Sequence, residues 1–199
     1  MYSLVQKPAP DFTADAVMPN GEFGKISLSS FQDKKYVALF FYPLDFTFVC
    51  PSEIISFSNK TKEFEDRNVQ ILGVSVDSKF SHHAWRKTPV DQGGIGEINF
   101  PLVSDLTKEI ARDYGVLIED AIALRGTFLI DKSGIVRHAT LNDLPLGRNV
   151  DETLRVIDAL QHTEQHGEVC PAGWKKGEMA MKPSAAGVSA YLKENCKKL

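Results

Sequence analysis

Continuous apolar runs and helical repeats alternate along this chain. Residues 36–42 are all apolar or aromatic and predict a central β-strand that is covered on both faces. Beyond Cys50, apolar side chains recur at helical spacing, which predicts a helix of about four turns. Residues 69–76 are rich in β-branched side chains and predict a second strand. A short helix is expected over residues 80–87.

The second half of the pattern adds a helix, a hairpin and a long final helix. Residues 104–114 place apolar side chains on one face and predict a helix that stops at the following glycine. Strand patterns at 127–131 and 135–140 flank a turn and predict a β-hairpin. Asn149 and Glu152 have the spacing of an N-cap and its N3 partner, so we expect the final helix to begin there.

Strand, helix, strand, helix, hairpin and final helix are typical of an α/β domain. We expect a thioredoxin-like fold with a mixed central sheet flanked by helices. The helical pattern ends near residue 165, so the predicted organisation is one domain, residues 1–165, followed by a C-terminal extension, residues 166–199. The turn signals of residues 1–35 and the glycines of residues 92–96 predict loops, the latter a flexible one.

Composition and charge exclude several function classes. Of the 199 residues, 43% are hydrophobic and 25% charged, as in ordinary globular proteins. The net charge of -3 offers no basic field for nucleic acid. No apolar stretch approaches the roughly 20 residues that span a bilayer. No signal peptide is visible, so we expect a protein of the reducing cytoplasm, bound to neither membrane nor nucleic acid.

The three cysteines, Cys50, Cys170 and Cys196, are too few for a structural disulfide scaffold. Cys50 follows the aromatic strand and a short turn, and it precedes Pro51 and Glu53, which are helix-start signals. We therefore expect Cys50 at or next to the N-cap of a helix. The unpaired N–H groups and the positive dipole end there favour a thiolate, which is the nucleophilic form.

A cysteine at a helix start is a weak signal alone, but three other residues strengthen it. Pro43 and Thr47 precede Cys50 closely enough for one turn to bring both beside the sulfur. Proline can shield the thiolate, and the Thr47 hydroxyl can donate to or accept from a bound oxygen atom. Arg125 precedes a strand, and its guanidinium could stabilise the thiolate and orient a polar substrate.

Two sequence motifs resemble those of the typical two-cysteine peroxiredoxins. The first resembles the active-site signature of that family and consists of Phe41-Tyr42-Pro43-Leu44-Asp45-Phe46-Thr47-Phe48-Val49-Cys50-Pro51. The second resembles its resolving-cysteine segment and consists of Glu168-Val169-Cys170-Pro171-Ala172-Gly173-Trp174. Arg125 and the run 143–148, which ends at Arg148, also fit the family pattern. The resemblance covers nearly the whole chain.

The resemblance implies a thiol peroxidase, an oxidoreductase that acts on hydrogen peroxide and organic hydroperoxides in cell redox homeostasis. Cys50 would attack the peroxide and become a sulfenic acid. Thr47 and Arg125 would hydrogen-bond the peroxide oxygens, and Pro43 would complete the site. Which peroxide is preferred stays open.

The resemblance also implies partners. Cys170 of the partner subunit in a homodimer would form an intersubunit disulfide with Cys50. Thioredoxin or a dedicated flavoprotein disulfide reductase would then reduce it, and no metal, haem or flavin is implied on this chain. Members of the family commonly close five dimers into a decameric ring, but the sequence does not decide between dimer and decamer.

Family members that resolve slowly carry Gly-Gly-Leu-Gly and a C-terminal Tyr-Phe. This chain has Ile95 in place of the leucine and Leu192 in place of the phenylalanine. The second change replaces an aromatic side chain with an aliphatic one and predicts a weaker C-terminal clamp. We therefore expect an enzyme of intermediate sensitivity to overoxidation.

Several residues allow two interpretations. Glu53 is either a helix cap or a polar group of the pocket, and Arg148 either pairs elsewhere or supports Arg125 and Glu53. For Cys196, a role in the cycle is not expected. His82 and His83 are adjacent on a helix and point to different sides, which favours surface positions over a metal site.

Two rival functions use the same fold. A thiol–disulfide oxidoreductase needs a second cysteine at the helix start, and the residues after Cys50 lack it. The alternative from another class is a ring-forming holdase chaperone, which would be an additional activity. Consumption of a thiol reductant in the presence of peroxide separates an enzyme from a holdase.

Overall fold

The computed structural model describes residues 3–198. It divides into two compact units, Met1–Val150 and Asp151–Leu199. Among the described residues, no helix combines the length and the apolar character needed to cross a membrane. The predicted boundary between residues 165 and 166 falls at the end of the long helix, at His166, and stays a prediction.

The described strands are β1 (Thr13–Val17), β2 (Phe23–Ser27), β3 (Tyr36–Phe41), β4 (Val69–Ser75), β5 (Leu102–Ser104), β6 (Leu117–Ile118), β7 (Ile122–Ala123), β8 (Arg125–Ile130) and β9 (Val136–Asn142). The described α-helices are α1 (Cys50–Asn59), α2 (Thr61–Glu65), α3 (Lys79–Lys87), α4 (Glu109–Asp113), α5 (Val150–His166) and α6 (Ala185–Asn195). Short 3-10 helices cover Leu28–Phe31, Val90–Gln92 and Cys196–Lys198.

Seven strands form one sheet in the order β2-β1-β5-β4-β3-β8-β9. β4 is parallel to both β3 and β5, whereas β8 is antiparallel to β3 and to β9. The predicted mixed sheet is therefore confirmed. Helices α2 and α3 pack against strands of this sheet, α2 on β4 and α3 on β1 and β5.

The predicted central strand is β3, and all six of its side chains are buried. Its inward-facing residues on one side, Val37, Leu39 and Phe41, belong to the main hydrophobic core. On the opposite side, the ring of Phe40 stacks on Phe57 of α1 with a centroid distance of 4.4 Å. This stacking fixes α1 against the sheet, so the first turn of α1 has a defined position at the end of β3.

The helix predicted over residues 104–114 is wrong at its start. Ser104 is the last residue of β5, and α4 begins only at Glu109 because Lys108 has a left-handed backbone with φ +63°. The buried carboxylate of Asp105 accepts the N–H groups of the first two residues after Glu109, at 3.1 and 2.7 Å. This capping from four residues upstream fixes the start, and the predicted stop at Gly115 is confirmed by its φ of +67°.

Other predictions are confirmed with changed bounds. Residues 1–35 contain the hairpin of β1 and β2 in addition to turns. The helix after Cys50 is interrupted at Lys60, so it becomes α1 and α2. Residues 92–96 form a loop, but an anchored one, because Gly94 donates to the Pro89 carbonyl and the Ile95 side chain is buried.

Candidate active site

Cys50 is the first residue of α1, and its side chain is fully buried. Val49 is the N-cap, and its apolar side chain makes no capping hydrogen bond. Pro51, at the second helical position, has no N–H group to leave unpaired. The predicted position of Cys50 at the start of a helix is confirmed, and the positive end of the helix dipole there stabilises negative charge on the sulfur.

The Thr47 hydroxyl lies beside the sulfur of Cys50. Its Oγ1 is 2.9 Å from Cys50 Sγ and 2.8 Å from the carbonyl oxygen of Leu44. A hydroxyl carries one hydrogen, so Thr47 donates to the sulfur or to the carbonyl. When it donates to Leu44, its lone pairs face the sulfur and can accept a hydrogen bond from a molecule bound there.

The turn that carries Thr47 is stabilised by contacts with residues outside the turn. The N–H of Asp45 donates to Asp77 Oδ2 at 2.9 Å, and Phe46 has a left-handed backbone with φ +54°. A bulky residue in this region is uncommon and needs support from its surroundings. Packing of the Phe46 ring against Trp85, at 5.7 Å between centroids, provides part of that support.

Arg125 reaches the sulfur from β8, the neighbour of β3 in the sheet. Its Nη1 lies 3.3 Å from Cys50 Sγ, and its Nε donates to the Leu144 carbonyl at 2.6 Å. The side chain is 4% exposed, so the contact between guanidinium and sulfur is shielded from water. Hydrogen bonds on both sides of the guanidinium orient the group that faces Cys50.

Glu53 and Arg148 form a buried ion pair that contacts Arg125. Glu53 Oε1 accepts from Arg148 Nε at 2.8 Å, and Oε2 accepts from Arg148 Nη2 at 2.9 Å and from Arg125 Nη1 at 2.7 Å. Arg148 Nη1 also donates to the carbonyls of Phe41 and Gly126, at 2.8 and 2.9 Å. Glu53 is thus a polar group of the pocket, and Arg148 supports Glu53.

The charged side chains beside Cys50 carry a net positive charge. Arg125 and Arg148 carry two positive charges, Glu53 carries one negative charge, and all three side chains are at most 4% exposed. This excess positive charge can stabilise negative charge that develops on the reacting atoms during the reaction. Burial raises the pKa of Glu53, but the hydrogen bonds and charge of Arg148 and the charge of Arg125 outweigh it and hold that pKa below its ordinary value.

The structure brings together Cys50, Thr47, Arg125, Glu53 and Arg148. Pro43 is buried between the end of β3 and the turn before α1, where it can limit access of water, and its shielding role stays a prediction.

The surface position predicted for His82 is wrong. His82 is fully buried, with Nδ1 2.8 Å from Asp45 Oδ2 and Nε2 3.3 Å from the Val103 carbonyl. The Tyr42 hydroxyl donates to the other oxygen of Asp45 at 2.9 Å. Burial, together with the charge of Asp45, raises the pKa of Tyr42 far above its ordinary value. Sequence reasoning missed this cluster because periodicity alone does not separate the buried His82 from the adjacent His83, which is only half-buried.

The other two cysteines lie in the second unit. Cys170 follows α5 and is partly exposed, and Cys196 begins the last 3-10 helix and is exposed. All three cysteines are free thiols. Within residues 3–198, no group of three or more His, Cys, Asp or Glu side chains is arranged to hold a metal ion.

Two family models match this chain. The model of the AhpC/TSA family matches residues 5–139, which include Cys50, Thr47 and Arg125. The model of the C-terminal domain of 1-Cys peroxiredoxin matches residues 159–194. The second match includes Cys170, so a chain with a second cysteine also matches this model.

Named relatives match most or nearly all of the chain. Alkyl hydroperoxide reductase C of Helicobacter pylori strain J99 is 58% identical over 197 residues, which are 98% of this chain and 100% of the relative. The crystal structure of reduced Plasmodium vivax 2-Cys peroxiredoxin matches with a TM-score of 0.95 and 55% identity, over 96% of this chain and 100% of that one. Thioredoxin peroxidase I of Plasmodium yoelii matches with a TM-score of 0.79 and 59% identity, over 87% and 99%. These matches confirm the thioredoxin-like fold.

Proposed function

The chain belongs to the AhpC/TSA family as a peroxiredoxin of the two-cysteine type, and we propose that Cys50 is its peroxide-reducing nucleophile. The enzyme reduces peroxides at the expense of a thiol. One observation carries the proposal for Cys50: its buried sulfur lies within 3.3 Å of both the Thr47 hydroxyl and the Arg125 guanidinium. Neither Cys170 nor Cys196 is fully buried or begins an α-helix.

In the first step, the Cys50 thiolate attacks the terminal oxygen of the peroxide. An S–O bond forms, the O–O bond breaks with its electron pair on the leaving oxygen, and that oxygen takes up the proton that Cys50 released to solvent when it became a thiolate, which gives water or an alcohol. Cys50 is oxidised to a sulfenic acid and the peroxide is reduced. Arg125 donates to the peroxide oxygens as charge moves from sulfur to the leaving group, and the Thr47 hydroxyl, which donates to the Leu44 carbonyl, can accept from the peroxide O–H.

We infer that the substrates are hydrogen peroxide and organic hydroperoxides. The Thr47 hydroxyl and the Arg125 guanidinium both lie beside the Cys50 sulfur, where they can hydrogen-bond the two adjacent oxygen atoms that all hydroperoxides share. The name of the Helicobacter relative, an alkyl hydroperoxide reductase, supports organic hydroperoxides as a class.

In the second step, Cys170 of a partner subunit resolves the sulfenic acid. The Cys170 thiolate attacks the sulfur of Cys50, an S–S bond forms, and hydroxide leaves and takes up the thiol proton as water. A thioredoxin-like protein or a dedicated flavoprotein then reduces the disulfide. The name of the Plasmodium yoelii relative supports thioredoxin as the donor, and a reducing cytoplasm would supply it.

We propose that the enzyme is a homodimer that assembles further into a decameric ring. Large apolar side chains are exposed on the first unit: Phe48 is 99% exposed, Phe80 66% and Phe23 47%. The rings of Phe23 and Phe80 are in edge contact beside His83, whose Nδ1 is buried with no hydrogen-bond partner among the described residues. Exposed apolar side chains such as the contacting Phe23 and Phe80 rings are typical of a subunit interface.

Two cysteine variants test the function. Cys50→Ser should abolish the peroxide-dependent consumption of a thiol reductant, because serine cannot be the nucleophile. Cys170→Ser should still be oxidised once by one equivalent of peroxide but should not turn over with thioredoxin. On a non-reducing gel, both variants should lose the peroxide-induced dimer band of the native chain. Full turnover by Cys50→Ser would reject the proposal, and protection of unfolded clients without any turnover would favour the holdase.

A further inference from the structure

Residues 168–174, here called the resolving segment, are fastened to α5 on both sides of Cys170. Before the cysteine, Glu168 Oε2 lies 3.0 Å from His162 Nε2. After it, the Trp174 carbonyl accepts from Arg155 Nη1 at 2.9 Å. Both His162 and Arg155 are side chains of α5, so the segment lies along this helix.

The Cys170 thiol faces the helix in this arrangement. Its Sγ lies 3.5 Å from the carbonyl of Ala159, to which it donates, and 3.8 Å from Thr163 Oγ1. The S–H donates to a backbone carbonyl, so the sulfur is turned toward its own helix. The thiol is therefore held in a resting position, and it has to leave α5 before it can attack another sulfur.

His162 contacts the resolving segment at both ends. Besides its hydrogen bond to Glu168, its ring packs on the Trp174 ring with a centroid distance of 4.8 Å. On the other side it packs on His166, at 4.5 Å. A single imidazole thus joins the residues that precede and follow Cys170 to the helix.

Resting on the function proposed above, we propose that His162 is a positioning residue for resolution, which fastens the resolving segment to α5 and sets the rate of disulfide formation. The His162 and Glu168 side chains are 22% and 34% exposed, so their contact is of the modest strength expected near a surface. A contact of that strength opens readily and still slows the exit of Cys170. We call this contact between His162 and Glu168 the gate, because it has to open before Cys170 can leave α5.

The gate has a chemical consequence at Cys50. While Cys170 rests on α5, the Cys50 sulfenic acid stays available to a second peroxide. That peroxide transfers one oxygen to the sulfur, which becomes a sulfinic acid, and the rest of the peroxide leaves as water or an alcohol. Faster release of the resolving segment should therefore protect Cys50 from overoxidation.

The test uses the 199-residue chain, mixed with one equivalent of hydrogen peroxide and quenched at intervals. His162→Ala and Glu168→Ala should each form the intersubunit disulfide about three- to tenfold faster than the native chain. The double variant should gain less than the product of the two single effects, because both remove one contact. Gln165→Ala, an exposed neighbour on the same turn of α5, is the matched control and should keep the native rate.

A second measurement separates failure of the gate from failure of the proposed function. The first oxidation of Cys50 should be equally fast in all of these chains, and sulfinic acid at Cys50 should require more peroxide in His162→Ala. Unchanged or slower disulfide formation with a normal first oxidation would overturn the gate alone. If His162→Ala folds poorly, Glu168→Gln tests the same contact, since it removes the carboxylate and keeps the side-chain size. Loss of the first oxidation in the native chain would instead overturn the role of Cys50.

Discussion

The surroundings of Cys50 and Cys170 differ in the way that the two tasks proposed for them require. Cys50 is fully buried, and its sulfur faces a hydroxyl and a guanidinium that are themselves fixed by further hydrogen bonds. Cys170 is partly exposed, and its sulfur faces a backbone carbonyl in a segment fastened by a few contacts near the surface. The first site is preorganised for chemistry, and the second is built to be released.

Because the two sites differ in this way, we expect substitutions around Cys50 and around Cys170 to affect different steps. Substitutions around Cys50 should change the rate of the first oxidation or the stability of the fold, because the groups there are buried and share hydrogen bonds. Substitutions around Cys170 should change the rate of release without altering the first oxidation. The following predictions sharpen this division, or break it.

The largest effect is expected for Arg125→Met. Loss of the guanidinium removes a buried donor to the sulfur and to the peroxide, so the second-order rate of Cys50 oxidation should fall by about 100- to 1,000-fold. Stopped-flow measurement with excess peroxide gives this rate. Arg112→Met is the control, since Arg112 is 53% exposed and pairs with a surface carboxylate. A loss confined to disulfide formation would assign Arg125 to the wrong step.

Thr47→Val should reduce the same rate by about 10- to 100-fold, because it removes one hydroxyl and keeps the side-chain shape. Thr47→Ser retains the hydroxyl and should stay within about threefold of the native rate. If valine were as fast as serine, the hydroxyl beside Cys50 would have no part in peroxide reduction.

Glu53→Gln should destabilise the fold by about 3 kcal/mol, because Arg148 and Arg125 lose a buried counter-charge. Chemical denaturation of the variant beside the native chain measures this difference. A change of less than about 0.5 kcal/mol would show that the network around Cys50 is less tightly coupled than its distances indicate.

The pH dependence of stability is a second test of the coupling between Glu53 and the two arginines. The pKa of Glu53 lies below its ordinary value of 4.5, so the folded chain holds this proton less tightly than the unfolded chain does. Ionised Glu53 therefore stabilises the fold above that value, and the contribution is lost as the pH falls below 4.5 through the folded pKa. Between about pH 5 and pH 3, the stability of Glu53→Gln should fall less steeply than that of the native chain. Equal slopes would contradict the lowered pKa.

The smallest effect is expected for Cys196→Ser. Cys196 is exposed and follows α6, and it belongs neither to the Cys50 site nor to the resolving segment. Turnover and the peroxide-induced dimer should both stay within experimental error of the native chain. A slower cycle would show that a third thiol takes part, and the two-site division would need revision.

Much of the fold was predictable because burial and local geometry leave direct marks in the sequence. The apolar run of β3, the helix start at Cys50 and the glycine that ends α4 follow from local preferences. The late start of α4 was not predictable, since it depends on the buried carboxylate of Asp105 and the left-handed backbone of Lys108. Both are consequences of the folded surroundings.

The candidate site shows the same limit. Cys50, Thr47 and Arg125 could be named from the sequence, but the two interpretations of Glu53 could not be separated there. The structure separates them because both carboxylate oxygens of Glu53 accept from arginines. The burial of His82 could not be predicted, because its partners, Asp45 and the Val103 carbonyl, lie far from it in sequence.

Peptide mass spectrometry of the native chain, quenched at successive times after one equivalent of hydrogen peroxide, tests the division between the two cysteines most directly. A sulfenic-acid trap should label Cys50 first, and the Cys50–Cys170 disulfide between two chains should replace this label later. Initial labelling of Cys170 or Cys196, with Cys50 still reduced, would contradict the account.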